Sequence, residues 1–222
     1  MNALELTGRV RTHVVDVPDL GCTVHRDVVA PLRALAAAAR AEAGIELAAV
    51  SAFRDFERQR TIWNAKWRGE RALFDRAGQP LEVGTLDTDA RIDAILAWSA
   101  LPGASRHHWG TDLDVIDRAA MPAGYRPQLV PREYAPGGVF QRLDAWLAAS
   151  MERYGFYRPY AHDLGGVQPE PWHLSHAATA RPACAALTVE VMTEAIGSAE
   201  VEGRARLLER MAEIRARYVQ AP

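Results

Sequence analysis

The sequence predicts one α+β domain in which helices flank a small, mainly antiparallel sheet. Short alternating or β-branched runs, typical of strands, are separated by longer runs that carry helix start and stop signals. The 222 residues are 49% hydrophobic and 24% charged, which is enough apolar material for a compact core. Because no repeat or linker divides the chain, residues 1–222 are expected to form a single domain, with a core over about 27–176 and a C-terminal helical extension over about 182–218.

The first half of the chain predicts two strands and three helices. The clearest helix is rich in alanine, has Pro31 near its start and ends at Gly44, which are typical start and stop signals. The helix after the second strand begins at an acidic cap, Asp55. In order, the predicted elements are a strand at 10–17, a helix at 27–43, a strand at 46–53 and helices at 55–70 and 88–99.

In the second half, residues 112–117 alternate apolar and acidic side chains. This pattern predicts a strand with one face on the core and the carboxylates of Asp112 and Asp114 on the other. Residues 118–138 contain four prolines and no periodicity, so we expect a long loop that lines or covers a site. The remaining predicted elements are a helix at 139–154, short strands at 156–157 and 172–175, and helices at 182–196 and 199–218.

The charge balance and the N-terminus exclude several classes of partner. The 26 basic and 28 acidic residues give a net charge of -2, so nothing points to nucleic acid or to an anionic membrane. The N-terminus has no uninterrupted apolar run typical of a signal peptide, and no stretch resembles a membrane span, which favours a cytoplasmic location. An apolar stripe on the last helix is expected to face the core, and the oligomeric state stays open.

Two segments contain the components of a hydrolytic zinc site. Such a site needs three histidine or carboxylate ligands, an open fourth position for water, and a nearby carboxylate that accepts the proton of that water. Residues 105–114 and 170–173 can supply all of these. His107 precedes the strand that carries Asp114, and His173 lies on a second predicted strand, so the three side chains could converge. Cys22 and Cys184 cannot form a four-cysteine zinc site and are expected to be free, buried thiols.

Three short motifs follow one another along the chain. They consist of Ser51, Phe53, Arg54 and Gln59, then Ser105, His107, Gly110 and Asp114, then Glu170, Trp172 and His173. In content, order and spacing they resemble the zinc D-Ala-D-Ala carboxypeptidase and dipeptidase family of the VanY and VanX type. The similarity extends from about residue 27 to residue 176.

The resemblance implies a D-Ala-D-Ala metallopeptidase or hedgehog-like fold around a Zn²⁺ ion. It implies that His107, Asp114 and His173 bind the zinc, and that Glu170 acts as general base and then as general acid.

The same resemblance implies a set of residues that contact the substrate. Arg54, with help from Gln59 and Ser105, is implied to hold polar groups of the substrate. We also expect Arg54 to stabilise the oxyanion of the tetrahedral intermediate, so it is counted among the catalytic residues.

Asp112 departs from the family pattern, which generally has a small residue such as alanine at this position. The extra carboxylate could raise the pKa of zinc-bound water, act as a hydrogen-bond partner of a ligand histidine, or compete with Asp114 as a ligand. The sequence leaves these alternatives open.

The remaining histidines are expected to have no catalytic role. His108 is expected to pack against Trp109, and His176 is not expected to bind metal, because the motif spacing already explains His173. Structural or exposed positions are expected for His13, His25 and His162. Trp172 is expected to be a packing residue that fixes its strand.

The resemblance implies that the chain is a zinc carboxypeptidase that releases terminal D-Ala from peptidoglycan-derived peptides, as a D,D- or L,D-carboxypeptidase. A D-Ala-D-Ala dipeptidase and an L-Ala-D-Glu endopeptidase remain open within the same class. A zinc-containing binding module without turnover is the alternative from another class. Glu170 argues against that module, because a pure binding site needs no general base.

Overall fold

The computed structural model describes residues 1–220 as an assembly of short strands and helices. The strands are β1 (Val14–Val17), β2 (Cys22–His25), β3 (Leu47–Ser51), β4 (Leu73–Phe74), β5 (Pro80–Leu81), β6 (Asp112–Asp117), β7 (Phe156–Tyr157) and β8 (His173–His176). The helices are α1 (Ala3–Leu6), α2 (Val29–Ala43), α3 (Phe56–Trp67), α4 (Thr88–Leu96), α5 (Pro131–Tyr134), α6 (Gln141–Ser150), α7 (Ala177–Ala186), α8 (Val189–Gly197), α9 (Arg204–Glu209) and α10 (Met211–Ile214).

The main sheet contains four strands in the order β3-β6-β8-β7, and every neighbouring pair is antiparallel. Helices pack around this sheet, so the predicted α+β class with a small antiparallel sheet is confirmed. In the register of β6 and β8, Asp114 lies opposite His173 and Asp112 lies opposite Ser175. On the other side of β6, Ser51 of β3 lies opposite Asp114 after a register shift. The pairing therefore brings three separate motifs to one place on the sheet.

Several helix ends follow the capping residues in the sequence. The helix α2 ends at Gly44, which is left-handed with a φ of 64° and donates its N–H to the carbonyl of Arg40. The side chain of Asp55 caps α3 by accepting the backbone N–H of Arg58. As a result, α2 and α3 lie where the sequence predicts them, although α3 ends three residues early, at Trp67.

The structure corrects the predicted N-terminal strand. The predicted strand 10–17 is too long, because only Val14–Val17 is a strand. It pairs with Cys22–His25, a strand that the sequence analysis missed, in a hairpin separate from the main sheet. The missed strand, Cys22–His25, is only four residues long. It is recognised by its pairing with Val14–Val17 and not by an alternation of apolar and polar residues.

The predicted C-terminal helices are also wrong in their bounds. Residues 182–196 are divided between α7, which begins at Ala177 and contains Pro182, and α8, which starts after the capping side chain of Thr188. The predicted helix 199–218 is interrupted as well, because α9 begins only after the left-handed Gly203, at a φ of 74°, and α10 follows it. Local capping interactions therefore divide a stretch whose apolar pattern is continuous.

Segment 118–138 is more ordered than its composition indicates. It includes the short helix α5, which the sequence analysis did not predict. The buried carboxylate of Glu133 accepts the backbone N–H groups of Gln128 and Val130 and the hydroxyl of Tyr125, at 2.6–3.2 Å. These bonds anchor the segment to itself, and its movement as a lid stays a prediction.

Two clusters of buried apolar side chains form the core. One contains the inner faces of α2 and α6 and the apolar residues of the main sheet. The other joins α3 and α4 to the C-terminal helices and includes Trp63, Leu207 and Ile214. The apolar stripe of the C-terminal region thus faces the core, as predicted. Within residues 1–220, no helix is long and apolar enough to cross a membrane.

Candidate metal centre and active site

The three predicted metal ligands converge in the structure. His107 lies on the turn that precedes β6, Asp114 lies on β6, and His173 begins β8 directly opposite Asp114. Each residue offers one ligand atom, and these three atoms lie within 4.8 Å of one another. All three side chains are buried. The group could therefore hold a metal ion.

Hydrogen bonds turn one nitrogen of each histidine toward the centre of this group. The Nδ1 atom of His107 lies 2.8 Å from the carbonyl oxygen of Ala52, so it donates there and leaves Nε2 to face Asp114. His173 is turned the other way, because its Nε2 lies 2.9 Å from Asp112 Oδ1 and its Nδ1 faces Asp114. Such outer hydrogen bonds fix the ring and its tautomer for metal binding.

The distances and the hydrogen bonding fit a tetrahedral metal. The Nε2 atom of His107 lies 3.3 Å from Asp114 Oδ2, and the Nδ1 atom of His173 lies 3.3 Å from Asp114 Oδ1. Two ligands at about 2.0–2.1 Å from a tetrahedral ion are themselves about 3.3 Å apart. In addition, the buried Oδ1 of Asp114 has no hydrogen-bond partner among residues 1–220, and a cation would satisfy it.

Asp112 contacts the far side of His173 and does not face the other two ligands. Its Oδ1 accepts from His173 and from Nε of Arg106, at 2.9 and 2.8 Å, and its Oδ2 accepts the hydroxyls of Thr111 and Ser175. Burial raises the pKa of Asp112, but the charge of Arg106 and the hydrogen bonds from His173 and Thr111 together outweigh burial and hold the pKa below its usual value. Of the roles that the sequence left open for Asp112, this geometry favours that of a hydrogen-bond partner of a ligand histidine.

Glu170 lies beside the metal ligands, where the general base of the predicted reaction is needed. Its Oε2 is 3.1 Å from Nδ1 of His173, and its side chain is 13% exposed to the cavity. The backbone N–H of Glu170 donates to the carbonyl of Tyr160, whose ring lies 5.0 Å from that of His173. The carboxylate is thus held near the metal ligands and remains accessible.

The predicted substrate-binding residues divide into two groups. Arg54 and Ser105 line the cavity, and the buried hydroxyl of Ser105 has no hydrogen-bond partner among residues 1–220. Gln59 is fully buried; it accepts from Arg54 at 2.7 Å and donates to the carbonyl of Ala100 at 2.6 Å. Ser51 accepts from the same guanidinium at 2.9 Å. Gln59 therefore holds Arg54 in place, and its direct contact with a substrate stays a prediction.

These side chains open into a cavity of about 830 Å³. Part of segment 118–138 lines it, from Gln128 to Arg132, which agrees with the expectation of a segment beside the site. The sequence analysis missed several other lining residues. They are Lys66 on α3, Tyr160, and Ile214, Tyr218 and Val219 from the C-terminal region. A signal for Lys66 existed, because it is the only lysine and lies seven residues after Gln59, on the same helix face.

His108 is held by hydrogen bonds at both ring nitrogens, and its packing against Trp109 stays a prediction. Its Nδ1 donates to the carbonyl of Arg54 at 2.6 Å, and its Nε2 accepts the backbone N–H of Gly103 at 3.1 Å. Complete burial lowers the pKa of His108 to about 3, so the ring is neutral. It joins the turn that carries His107 to the segment that carries Arg54.

The other predicted minor positions have mixed outcomes. His176 bonds to Thr179 and lies outside the metal-ligand group, and His162 is exposed. His13 is held by a buried hydrogen bond and His25 by a partly buried one. Trp172 packs 5.8 Å from the ring of Tyr134, as expected for a packing residue. Cys22 and Cys184 are free thiols but are only partly buried, which corrects the prediction.

A buried His-Asp-His group beside an accessible carboxylate is the arrangement typical of a hydrolytic metal site. Residues 21–179 match the VanY family, described as D-alanyl-D-alanine carboxypeptidase. The match covers more than half of the chain, so the chain belongs to the VanY family and is a peptidase.

Three solved structures share the fold. They are a mutant of the vancomycin-resistance D,D-pentapeptidase VanY from the VanB-type cassette with Zn(II), VanYB with D-alanine-D-alanine, and the LD-carboxypeptidase LdcB. Their TM-scores are 0.52, 0.54 and 0.53, and their identities are 23%, 22% and 21%. The alignments cover 78%, 86% and 80% of this chain, and 83%, 92% and 73% of the respective structures.

Two proteins of Haemophilus influenzae, both described as uncharacterized, are similar in sequence. One is 43% identical over 99 residues, which is 43% of this chain and 67% of that protein. The other is 32% identical over 121 residues, which is 54% of this chain and 92% of that protein.

Proposed function

We propose that this protein is a zinc-dependent carboxypeptidase that releases terminal D-Ala from peptidoglycan-derived peptides. The observation that carries the proposal is the convergence of His107, Asp114 and His173 within 4.8 Å, beside Glu170, in a chain of the VanY family. Zinc is favoured over other metals because two histidines and one carboxylate are a typical catalytic zinc set. The VanY pentapeptidase that shares this fold also binds Zn(II).

The zinc would be held by Nε2 of His107, a carboxylate oxygen of Asp114 and Nδ1 of His173. When bound, it supplies Lewis-acid chemistry, which polarises the scissile carbonyl and lowers the pKa of water. Asp112 keeps His173 in position by accepting the N–H of its Nε2 atom.

Glu170 transfers the proton that the hydrolysis requires. Its carboxylate takes a proton from the attacking water as the new C–O bond forms at the scissile carbonyl. It then gives this proton to the nitrogen of the departing D-Ala as the C–N bond breaks, so one carboxylate acts first as base and then as acid. The distance of 3.1 Å between Oε2 of Glu170 and Nδ1 of His173 supports this role.

Arg54 binds and orients a polar group of the substrate. Bonds to Gln59 and Ser51 hold its guanidinium at the cavity wall, so little conformational freedom is lost when it binds an oxygen. It would grip the terminal carboxylate or the scissile carbonyl oxygen. Ser105 offers an unused hydroxyl at the same wall.

The size of the cavity favours peptides longer than D-Ala-D-Ala. A volume of about 830 Å³ lies in the range that accommodates drug-sized ligands. A dipeptide fills only part of such a space. This supports a D,D- or L,D-carboxypeptidase over a dipeptidase.

Incubation of the zinc-loaded protein with D-Ala-D-Ala, a tetrapeptide and a pentapeptide tests the proposal by mass spectrometry. Loss of one D-Ala from the pentapeptide identifies a D,D-carboxypeptidase, and loss from the tetrapeptide identifies an L,D-carboxypeptidase. Cleavage of the dipeptide alone, or of an internal L-Ala-D-Glu bond, would identify the corresponding alternative enzyme. No product from any substrate would indicate a binding module.

The substitution Glu170→Ala separates catalysis from metal binding. We expect this variant to keep its zinc and to lose activity by about 10²–10⁴-fold, because it lacks the general base but keeps the ligands. His173→Ala should lose both, whereas the exposed Glu152→Ala should lose neither. Metal content by atomic absorption and turnover by mass spectrometry measure the two properties, and hydrolysis that persists in Glu170→Ala would rule out this mechanism.

A further inference from the structure

The cations on and beside α3 differ in their pairing. Arg60 and Arg68 each pair with a carboxylate at 2.6 Å, from Glu57 and Glu70. Four other cations have no carboxylate within 4.0 Å among residues 1–220, the criterion for an ion pair. They are Arg54, Arg58, Lys66 and Arg71.

These four cations border two adjacent cavities. Arg58 and Lys66 lie eight residues apart on α3 and therefore near one face of the helix. Lys66 lines the cavity of the metal ligands, while Arg58 and Arg71 line a second cavity of about 660 Å³. Arg54 lines both. The cations therefore form a continuous positive border that starts at the metal site.

The four charges act on one another. Burial, together with the charges of Arg71 and Arg54, lowers the pKa of Lys66 to about 8, against the opposing effect of Glu170. Burial also lowers the pKa of Arg54, with Arg58 and Arg71 adding to the effect and Asp114 and Glu170 opposing it.

The acidic groups near these cations are already engaged. Asp16 lines the second cavity, but it pairs with Arg11 at 3.0 Å and accepts the hydroxyl of Thr23 at 2.6 Å. Asp114 and Glu170 face His173 at the metal centre. Cations that are close together and lack counter-charges favour the binding of an anion.

The substrate of the proposed reaction can supply such an anion. When Arg54 grips the scissile carbonyl oxygen, the terminal D-Ala lies on one side of it and the rest of the peptide on the other. That remainder can extend past Arg54 toward the second cavity, along Lys66, Arg58 and Arg71. An internal carboxylate of the peptide would match these charges.

We propose that Arg58, Lys66 and Arg71 form a subsite for an internal carboxylate of the peptide, so that the enzyme prefers acidic peptides. This inference rests on the proposed function and names its substrate class. The subsite begins at Arg54 and follows α3 away from the metal ligands.

A pair of peptides that differ in one group tests the subsite. Both end in D-Ala and contain a D-glutamyl residue, whose α-carboxylate is free in one peptide and a carboxamide in the other. We expect the unsubstituted enzyme to show a kcat/KM about tenfold higher for the acid, because a buried or partly buried ion pair contributes about that factor. In the double variant Lys66→Gln/Arg71→Gln, the preference should fall to about twofold. We expect kcat/KM to decrease for the acid and to stay unchanged for the carboxamide.

The substitution Arg68→Gln is the matched control. It removes a cation next to α3 that is already paired with Glu70, so the preference should remain. Equal kcat/KM values for the two peptides, or an equal loss on both in the double variant, would overturn the subsite and leave the proposed function intact.

Binding to zinc-loaded Glu170→Ala, measured by calorimetry, separates the two proposals. If the unsubstituted enzyme cleaves neither peptide, the proposed function fails. Tighter binding of the acidic peptide than of the carboxamide by the Glu170→Ala variant would still support the subsite. Equal affinity for acid and amide contradicts the subsite whether or not cleavage occurs.

Discussion

His173 lies among three carboxylates, those of Asp112, Asp114 and Glu170, at 2.9–3.3 Å. Burial alone lowers the pKa of His173, but its close contacts with these carboxylates raise it well above its usual value. Without a metal, the imidazole of His173 therefore favours its protonated form. A metal ion must displace the proton of Nδ1, so metal affinity is expected to rise with pH until His173 is neutral.

Asp112 is the residue whose substitution tests this arrangement. We expect Asp112→Asn to weaken zinc binding by about tenfold or more, because a neutral amide orients His173 less strongly than a carboxylate. The metal affinity is measured by competition with a chelating dye. The control is Asp117→Asn, which changes another buried aspartate of β6 that accepts the backbone N–H of Glu46. An unchanged affinity in Asp112→Asn would contradict the assigned contact.

At the scale of elements, the turn before β6 and the hairpin β1–β2 depend on each other. Gly110 ends the turn that carries His107 and has a φ of 66°. Its carbonyl accepts the backbone N–H of His25 at 2.8 Å. A Cβ atom on Gly110 would lie 2.6 Å from both that nitrogen and Cγ1 of Val14. The hairpin thus supports a metal ligand without belonging to the main sheet.

The substitution Gly110→Ala tests this support. We expect it to reduce the free energy of unfolding by about 3 kcal/mol, from the left-handed backbone and from crowding against the hairpin. Gly21→Ala is the control, because Gly21 has a similar φ of 63° but open space around its Cβ position. It should cost only about 1 kcal/mol. Urea unfolding measures both, and equal losses would show that the hairpin contact is unimportant.

At the scale of the whole molecule, the C-terminal region is part of the core and of the cavity. The family match ends at residue 179, but Leu207 and Ile214 are fully buried against Trp63 and its neighbours. Ile214 also lines the cavity beside the metal ligands. We therefore propose that residues 182–218 fold together with the rest as one domain.

The substitution Leu207→Ala measures how much the C-terminal region contributes to the free energy of unfolding. Loss of a fully buried leucine should cost about 3 kcal/mol, because it leaves a cavity in the cluster shared by α3, α4 and α9. The partly buried Leu208→Ala should cost about 1 kcal/mol. A single cooperative transition by both circular dichroism and tryptophan fluorescence is expected for each variant. A second, separate transition would contradict the one-domain proposal.

Sequence patterns determined those features that depend on neighbouring residues. Capping by Asp55 and Gly44 places two helix ends, and the alternation in 112–117 predicts β6 with its bounds. The order and spacing of the three motifs were sufficient to identify the family. These signals are local, because a cap or an alternating strand is specified within a few residues.

Tertiary structure alone decided which distant residues meet. The register of β6 with β8 places Asp114 and Asp112 on opposite nitrogens of His173, and this separates their roles. The burial of Gln59 behind Arg54 and the grouping of cations along two cavities also depend on packing. The physical reason is that charge pairing and burial depend on distances in space, whereas sequence patterns report only spacing along the chain.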